Sequence, residues 1–159
     1  MASYRTVFEI MQKGFAWDMP AMGISLIAVA CFVYYRWKSR GELTRGKQVF
    51  TVIYLLLACL MTLILFVSIY RDFSEYRSAY ARGDYSVVEG TVYDFRPEGW
   101  VRERESFSVN GITFVYSKGI VTPGFDGGAW FGGRLRDGLR IRVSHRDGII
   151  LKLEVQDHR

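Results

Sequence analysis

The chain has 159 residues, of which 50% are hydrophobic, with a formal net charge of +5 and two cysteines. This length accommodates one small domain with an appendage. The basic excess lies wholly in residues 1–82, because residues 83–159 hold 11 basic and 11 acidic side chains. A nucleic-acid-binding protein carries its excess on its folded domain, so nucleic acid is excluded as the expected partner. Both cysteines fall in apolar segments, which excludes a disulfide framework in the polar half.

Residues 1–16 are predicted to form a short helix. Their apolar side chains recur at helical spacing: Tyr4, Val7, Phe8, Met11 and Phe15. Two placements stay open, one at a membrane interface and one packed against the domain that follows.

Residues 17–37 form the first predicted transmembrane helix. The run from Met19 to Tyr35 has 17 residues and no charge, which is the short end of what crosses a bilayer. Trp17 and Trp37 flank it, as aromatic residues do at membrane–water interfaces. A signal peptide fits poorly, because acidic residues precede the run and no A-x-A cleavage site follows it.

Residues 38–47 form a basic loop that is predicted to be cytoplasmic. The loop and its flanks carry five cations: Arg36, Lys38, Arg40, Arg45 and Lys47. Only Glu42 opposes them. Short loops rich in Lys and Arg stay in the cytoplasm, so both termini are predicted to be periplasmic, or extracytoplasmic, in a bacterial inner membrane.

Residues 48–70 form the second predicted transmembrane helix. These 23 uncharged residues span roughly 34 Å as a helix, which is enough to cross a bilayer with some tilt. Neither helix contains an ionisable side chain of the kind that transport pathways require. The sequence therefore predicts a lipid anchor, and a pore made by many copies stays open as an alternative.

Residues 71–83 are predicted to continue that helix as a stalk or as a lid on the next domain, ending at Gly83. From residue 84 the hydrophobic period changes from 3.6 to 2. The string YSVVEGTVYDF predicts one strand with a bulge or bend at Gly90.

Two β-hairpins follow in the predicted β-domain, residues 84–157. Asn110-Gly111 predicts a two-residue type I′ turn, which pairs Phe107 with Phe114 on the core face. A second hairpin, LRIRVS-HRDG-IILKLEV, alternates apolar and polar residues. The predicted fold is membrane α + β: a two-helix transmembrane hairpin followed by a small five-stranded antiparallel β-barrel of the OB or SH3-like kind.

The glycine-rich loop 119–138 is the main candidate for a ligand or partner site. Its aromatic residues are predicted either to plug the barrel or to bind a partner, and Trp100 on an earlier loop presents the same choice. Two arginines extend this candidate toward an anionic ligand. The candidate binding residues are Trp100, Phe125, Trp130, Phe131, Arg134 and Arg136.

The other polar and charged side chains of the β-domain do not predict a reaction. Its other arginines alternate with carboxylates, which favours a solvated, ion-paired face. Ser144 and His145 are neighbours in a strand and point apart, so they do not form a catalytic pair. Two histidines without cysteines do not make a usual zinc site. No catalytic residue, metal or cofactor is predicted.

Within residues 83–155, several strings resemble a group of uncharacterised small bacterial membrane proteins with two N-terminal transmembrane helices and a C-terminal OB-like β-barrel. The strings are GDYSVVEGTVYDFRP, ESFSVNGITFVYS, TPGF, GG, DGLRIRV and IILKLEV. In architecture, the chain is also similar to NfeD-type proteins, whose soluble part is an OB-fold, and to two-helix, β-barrel effectors of cyclic-nucleotide antiphage defence. The effector barrel is larger and cytoplasmic. The resemblance implies a recurrent module and brings no activity with it.

These observations predict a membrane-anchored, non-enzymatic binding or assembly module, with the lipid bilayer and a protein partner or a second copy as its partners. The alternative is a ligand-gated effector, whose barrel senses a nucleotide-like anion and whose helices oligomerise to disrupt the membrane. A hydrolase is a third and weaker hypothesis, because it requires a convergent polar site that the sequence does not display.

Overall fold

The computed structural model describes residues 3–97, 104–117, 121–127 and 135–156. Its elements, in chain order, are β1 (Tyr4–Glu9), α1 (Asp18–Ser39), α2 (Arg45–Arg82), β2 (Ser86–Thr91), β3 (Tyr93–Arg96), β4 (Glu105–Val109), β5 (Ile112–Tyr116), β6 (Arg140–Arg146) and β7 (Ile149–Gln156). The chain divides into a helical unit, Phe15–Arg71, and a β-unit made of Met1–Gly14 and Asp72–Arg159. The predicted combination of two helices with antiparallel strands is confirmed.

The β-unit contains two antiparallel sheets in its described residues. One has the strand order β1-β7-β6-β2 and the other the order β3-β4-β5. The predicted five strands are therefore wrong, since seven strands form two sheets. A shared apolar core lies between the sheets, with Phe107, Phe114, Ile141, Val143 and Leu153 fully buried.

The N-terminal segment is a strand and not the predicted helix. β1 pairs with β7, with Arg5 opposite Val155 and Phe8 opposite Leu153. The helical spacing of its apolar residues is real, but an isolated helix of this length is marginal in water. The edge of β7 supplies backbone hydrogen bonds, with one irregularity between Thr6 and Phe8, and that long-range partner decides the conformation.

The second extra strand arises because the first predicted strand divides at Val92. Val92 is almost completely buried, and its N–H donates to Leu139 O at 2.9 Å. The chain there leaves one sheet as β2 and enters the other as β3. The bulge predicted at Gly90 is wrong, because Gly90 pairs in regular register with Ile141. A Cβ at Gly90 would lie 3.0 Å from Val109, so the glycine permits close approach of the two sheets.

Both predicted hairpins are confirmed. Asn110 and Gly111 have φ of 49° and 84°, as a type I′ turn requires, and Phe107 pairs with Phe114. The second hairpin turns at Asp147 and Gly148, which also have positive φ.

The predicted stalk is the final part of the continuous helix α2, and residues 72–82 belong to the β-unit. Phe73 and Ala79 are buried in this segment. The Arg77 guanidinium donates to the backbone oxygens of Met11 at 3.0 Å and Lys13 at 2.8 Å. These bonds hold the chain that follows β1.

In the helical unit, α1 and α2 form an antiparallel hairpin. Near the turn, Lys47 Nζ lies 4.9 Å from the centre of the Trp37 ring, and at the other end the Phe15 and Phe66 rings are 5.7 Å apart. Between them, Gly23 packs directly against Thr62. Both helices are long and apolar enough to cross a membrane, and the most apolar stretch of α2 has no buried residue.

Candidate binding pocket

A pocket of about 200 Å³ lies at one end of the β-unit, where the two sheets meet. It is formed by the open end of the β4–β5 hairpin, the turn of the β6–β7 hairpin and the loop 121–127. Its lining residues are Arg104, Val115, Tyr116, Ser117, Thr122, Phe125, Gly148, Ile149 and Ile150. The pocket is mainly apolar, with a polar rim.

The floor of the pocket is continuous with the core. Phe125 is 5% exposed, and its ring lies 5.0 Å from that of Tyr116 and 5.4 Å from that of Phe8. Its backbone N–H donates to Ile150 O at 3.0 Å, which ties the loop to the start of β7. One face of the buried Phe125 ring therefore belongs to the core, while the residue also lines the cavity.

The loop that carries Phe125 is held in place by Lys13. The Lys13 ammonium donates to Thr122 O at 2.9 Å, to Gly124 O at 2.7 Å and to the Asp126 carboxylate at 2.9 Å. Its side chain is only 17% exposed, so these bonds are shielded from water. A Cβ at Gly124 would lie 2.7 Å from Ile150 O, which shows how closely the loop backbone approaches β7. The pocket wall is thus preorganised.

The polar groups near the pocket have distinct roles. Burial, together with a hydrogen bond to Glu105, raises the pKa of the Tyr116 hydroxyl, which is therefore neutral at physiological pH and not a general base. Thr122 Oγ1 accepts from Gly124 N at 3.3 Å, and its hydroxyl proton remains able to donate. Arg104 is exposed and has no hydrogen bond or ion pair within the described residues.

Of the six predicted binding residues, Phe125 lines this pocket and Arg136 is exposed outside it. The other four lie outside the described residues: Trp100, Trp130, Phe131 and Arg134. Sequence reasoning assigned Arg104 to the solvated, ion-paired face, whereas in the structure it is exposed and has no ion pair within the described residues. A signal for its position at the pocket existed. The Asn-Gly turn sets a register that pairs Glu105 with Tyr116, which brings Arg104 to the open end of the hairpin beside Ser117. Nothing in the sequence brings Ile149 to the same pocket.

The outer face of the four-stranded sheet carries an ion-pair cluster. Arg142 donates through two nitrogens to one Glu89 oxygen, at 3.1 and 2.9 Å, and stacks over the Tyr4 ring at 4.3 Å. The Tyr4 hydroxyl also bonds to Glu89. These two hydrogen bonds, from Tyr4 and then from Arg142, hold the pKa of Glu89 below its usual range. Arg142 is thus partnered, in agreement with the predicted solvated, ion-paired face.

His145 is the other titratable group of interest. Both ring nitrogens are buried, and neither has a hydrogen-bond partner among the residues that the structure describes. The ring packs edge-on against Phe114 at 5.1 Å. Burial lowers the pKa of His145, and Asp147 partly offsets this. Within the described ranges, no three His, Cys, Asp or Glu side chains are grouped as metal ligands.

No protein-family model, curated protein or solved structure matches this chain. Two long apolar helices near the N-terminus followed by strands agree loosely with the layout of the bacterial membrane proteins that the sequence resembles. Beyond that layout, the resemblance rests on the quoted strings alone.

Proposed function

We propose that this protein is a membrane-anchored, non-enzymatic binding module. The observation that carries the membrane-anchored part of the proposal is the pairing of β1 with β7 across the helical insertion. The chain leaves the β-unit after Gly14 and returns to it at Asp72. Both ends of the helical hairpin therefore join one folded unit, and only an even number of membrane crossings allows this.

The exposed surface of the hairpin supports the bilayer as its surroundings. Phe32, Phe50 and Leu56 are 60%, 65% and 66% exposed, and similar residues cover the outer faces of both helices. An apolar surface of this extent is rare on a soluble monomer, and the hydrocarbon core of a bilayer solvates it.

The N-terminal strand also argues against α1 as a removable signal sequence. Cleavage after α1 would remove β1, whose Tyr4–Glu9 backbone pairs with β7, and would expose the core residue Ile10. A helix that follows an integral strand of the mature fold acts as an anchor.

The sidedness of the β-unit follows from the basic loop between the helices. Arg36, Lys38 and Arg40 lie at the end of α1, and Arg45 and Lys47 lie at the start of α2. The positive-inside rule assigns this turn to the cytoplasm. The β-unit, with both termini, then lies outside the cytoplasm, on the outer surface of the inner membrane.

The size of the pocket favours a binding module over a nucleotide-sensing effector. Pockets for drug-sized ligands have volumes of about 300–1,000 Å³, and this one has about 200 Å³. Arg104 is the charged residue that the described lining supplies. The geometry suits a group the size of one side chain, as a partner protein would present.

The decisive experiment is the topology of the chain in cells. Alkaline phosphatase and green fluorescent protein are fused in turn after Arg159 and, as an internal control, after Leu43 in the loop. We expect phosphatase activity from the terminal fusion and fluorescence from the loop fusion, with the protein retained in membranes after alkaline carbonate extraction. Release by carbonate overturns the anchor. The reverse pattern of reporters overturns the sidedness and favours the cytoplasmic effector.

A further inference from the structure

We propose that the pocket and the adjoining edge of β5 bind the carboxy-terminal end of an extended peptide. Its last apolar side chain would enter the pocket between Phe125 and Ile149, and its terminal carboxylate would meet Arg104. This inference rests on the proposed binding function and names the chemistry of its partner.

The volume of the pocket matches one side chain. An apolar protein cavity of about 150 Å³ holds a single benzene molecule. The pocket, at about 200 Å³, therefore accommodates one branched or aromatic side chain with the carboxylate next to it. Phe125, Ile149 and Ile150 supply the apolar walls, while Arg104 and Thr122 supply polar groups at the rim.

One charged side chain that lines the pocket, Arg104, is available to meet an anion. Three neighbouring charged groups are already engaged, because Lys13 pairs with Asp126 and Glu105 accepts a hydrogen bond from Tyr116. Arg104 has no such partner in the described part of the chain. A guanidinium offers a planar fork of donors that fits a carboxylate, and the Thr122 hydroxyl is able to donate a further hydrogen bond.

The β5 edge provides a track for the rest of the peptide. The described sheets have four edge strands, and three of them carry protecting features: β1 contains Arg5, β2 contains Glu89, and β3 has an irregular register with Asp94 at positive φ. β5, Ile112–Tyr116, contains no charge, proline or bulge.

No strand of the described residues pairs with the outer edge of β5. An unprotected edge next to a pocket is the arrangement by which domains add a peptide strand, with backbone hydrogen bonds for affinity and the pocket for specificity. Val115, Tyr116 and Ser117, at the end of β5, line the pocket. A peptide running along the edge therefore reaches the pocket with its terminus.

The test uses the full-length chain in lipid nanodiscs and fluorescein-labelled hexapeptides of sequence Gly-Thr-Val-Thr-Val-X, where X is Val, Leu or Phe. Each peptide is made with a free carboxylate and with a carboxy-terminal amide, and binding is measured by fluorescence anisotropy. We expect at least one acid to bind about tenfold more tightly than its amide, since a charge-assisted hydrogen-bond pair is lost.

Two variants and one matched control sharpen the result. Arg104→Gln should weaken acid binding to the level of the amide and leave amide binding unchanged. Arg96→Gln is the matched control, because Arg96 is an exposed arginine of the same sheet that pairs with Asp94 and does not line the pocket. Ile112→Lys should weaken acid and amide binding together, because it places a charge on the edge.

Three outcomes overturn the proposal: equal binding of acid and amide, equal effects of Arg104→Gln and Arg96→Gln, or no binding of any acid up to about 1 mM. Competition by 4-methylpentanoate with the same affinity as the peptide also overturns it, in favour of a small carboxylic acid. None of these results changes carbonate extraction or reporter topology, so failure here is distinct from failure of the membrane anchor.

Discussion

The helical unit and the β-unit contain the same types of apolar side chain, but the helical unit exposes them and the β-unit buries them. Phe107 in the β-unit is 0% exposed, whereas Phe50 in the helical unit is 65% exposed. Leu153 is 0% exposed, whereas Leu56 is 66% exposed. In the β-unit, water drives these groups inward. In a bilayer no such force separates helix surfaces from lipid, and helices associate by close packing of small residues.

Interior contacts follow the same division. The β-unit is held by aromatic packing such as Phe107 against Phe114, with ring centres 5.4 Å apart. The helical unit relies on Gly23 against Thr62, where the absence of a side chain lets the backbones approach. The two units therefore differ in packing: large side chains are buried in the β-unit, whereas a glycine contact joins the helices, as the proposed membrane anchor requires.

The largest effect is expected from Phe107→Ala. Removal of this fully buried ring should destabilise the β-unit by about 3–5 kcal/mol, since it loses burial and leaves a cavity. Amide hydrogen exchange of β6 and β7, in nanodiscs, measures the change. Phe50→Ala is the control and should leave that exchange unaltered. Equal effects of the two substitutions would mean that Phe50 belongs to a core of the β-unit.

A lysine substitution should have different effects at two equally exposed positions, one in the helical unit and one in the β-unit. Leu60 and Val87 are 53% and 54% exposed, one on α2 and one on β2. Leu60→Lys should raise the apparent free energy of membrane insertion by about 2.5–3.5 kcal/mol, because the charge enters hydrocarbon. Val87→Lys should leave insertion unchanged. Glycosylation mapping in microsomes gives both values, and indifference to Leu60→Lys would contradict a bilayer-spanning α2.

A smaller effect is expected at the helix contact. An added Cβ at Gly23 would lie 2.8 Å from Thr62 Cγ2, so Gly23→Ala should destabilise the hairpin by about 1–3 kcal/mol through overpacking. Gly46→Ala is the control, since a Cβ there meets no atom within 4 Å and alanine favours the helix. Thermal unfolding in detergent, followed by far-ultraviolet circular dichroism, measures both. A more stable Gly23→Ala variant would refute the close packing.

The smallest effect is a pH dependence of the β-unit. Burial lowers the pKa of His145 in the folded protein, so the unfolded chain binds the proton more readily. Stability is then complete above about pH 6.5, the ordinary histidine pKa, and falls as the pH drops below it. His145→Phe should reduce this loss between about pH 7 and pH 5, while His158→Phe, at the other histidine, should not. Identical urea-unfolding profiles for both variants would exclude His145 as the source.

The sequence by itself determined the features that depend on local chemistry. The run of 23 uncharged residues from Gln48 to Tyr70 predicts a helix of membrane length, and it lies within α2. Asn110 and Gly111 accept positive φ, so they set the turn and, through the period of two, the whole register of the β4–β5 hairpin. The same register places Arg104 at the open end of the hairpin, but only the tertiary structure shows that Arg104 lines a pocket.

Only the tertiary structure decided the features that depend on distant partners. Tyr4–Glu9 is a strand because β7, which ends the described chain, supplies its hydrogen bonds. The break at Val92 exists because Leu139 O accepts from its N–H, and the pocket exists because Ile149 lies beside Phe125. Local patterns state what a segment prefers in isolation, whereas pairing energies between segments far apart in sequence choose among those preferences.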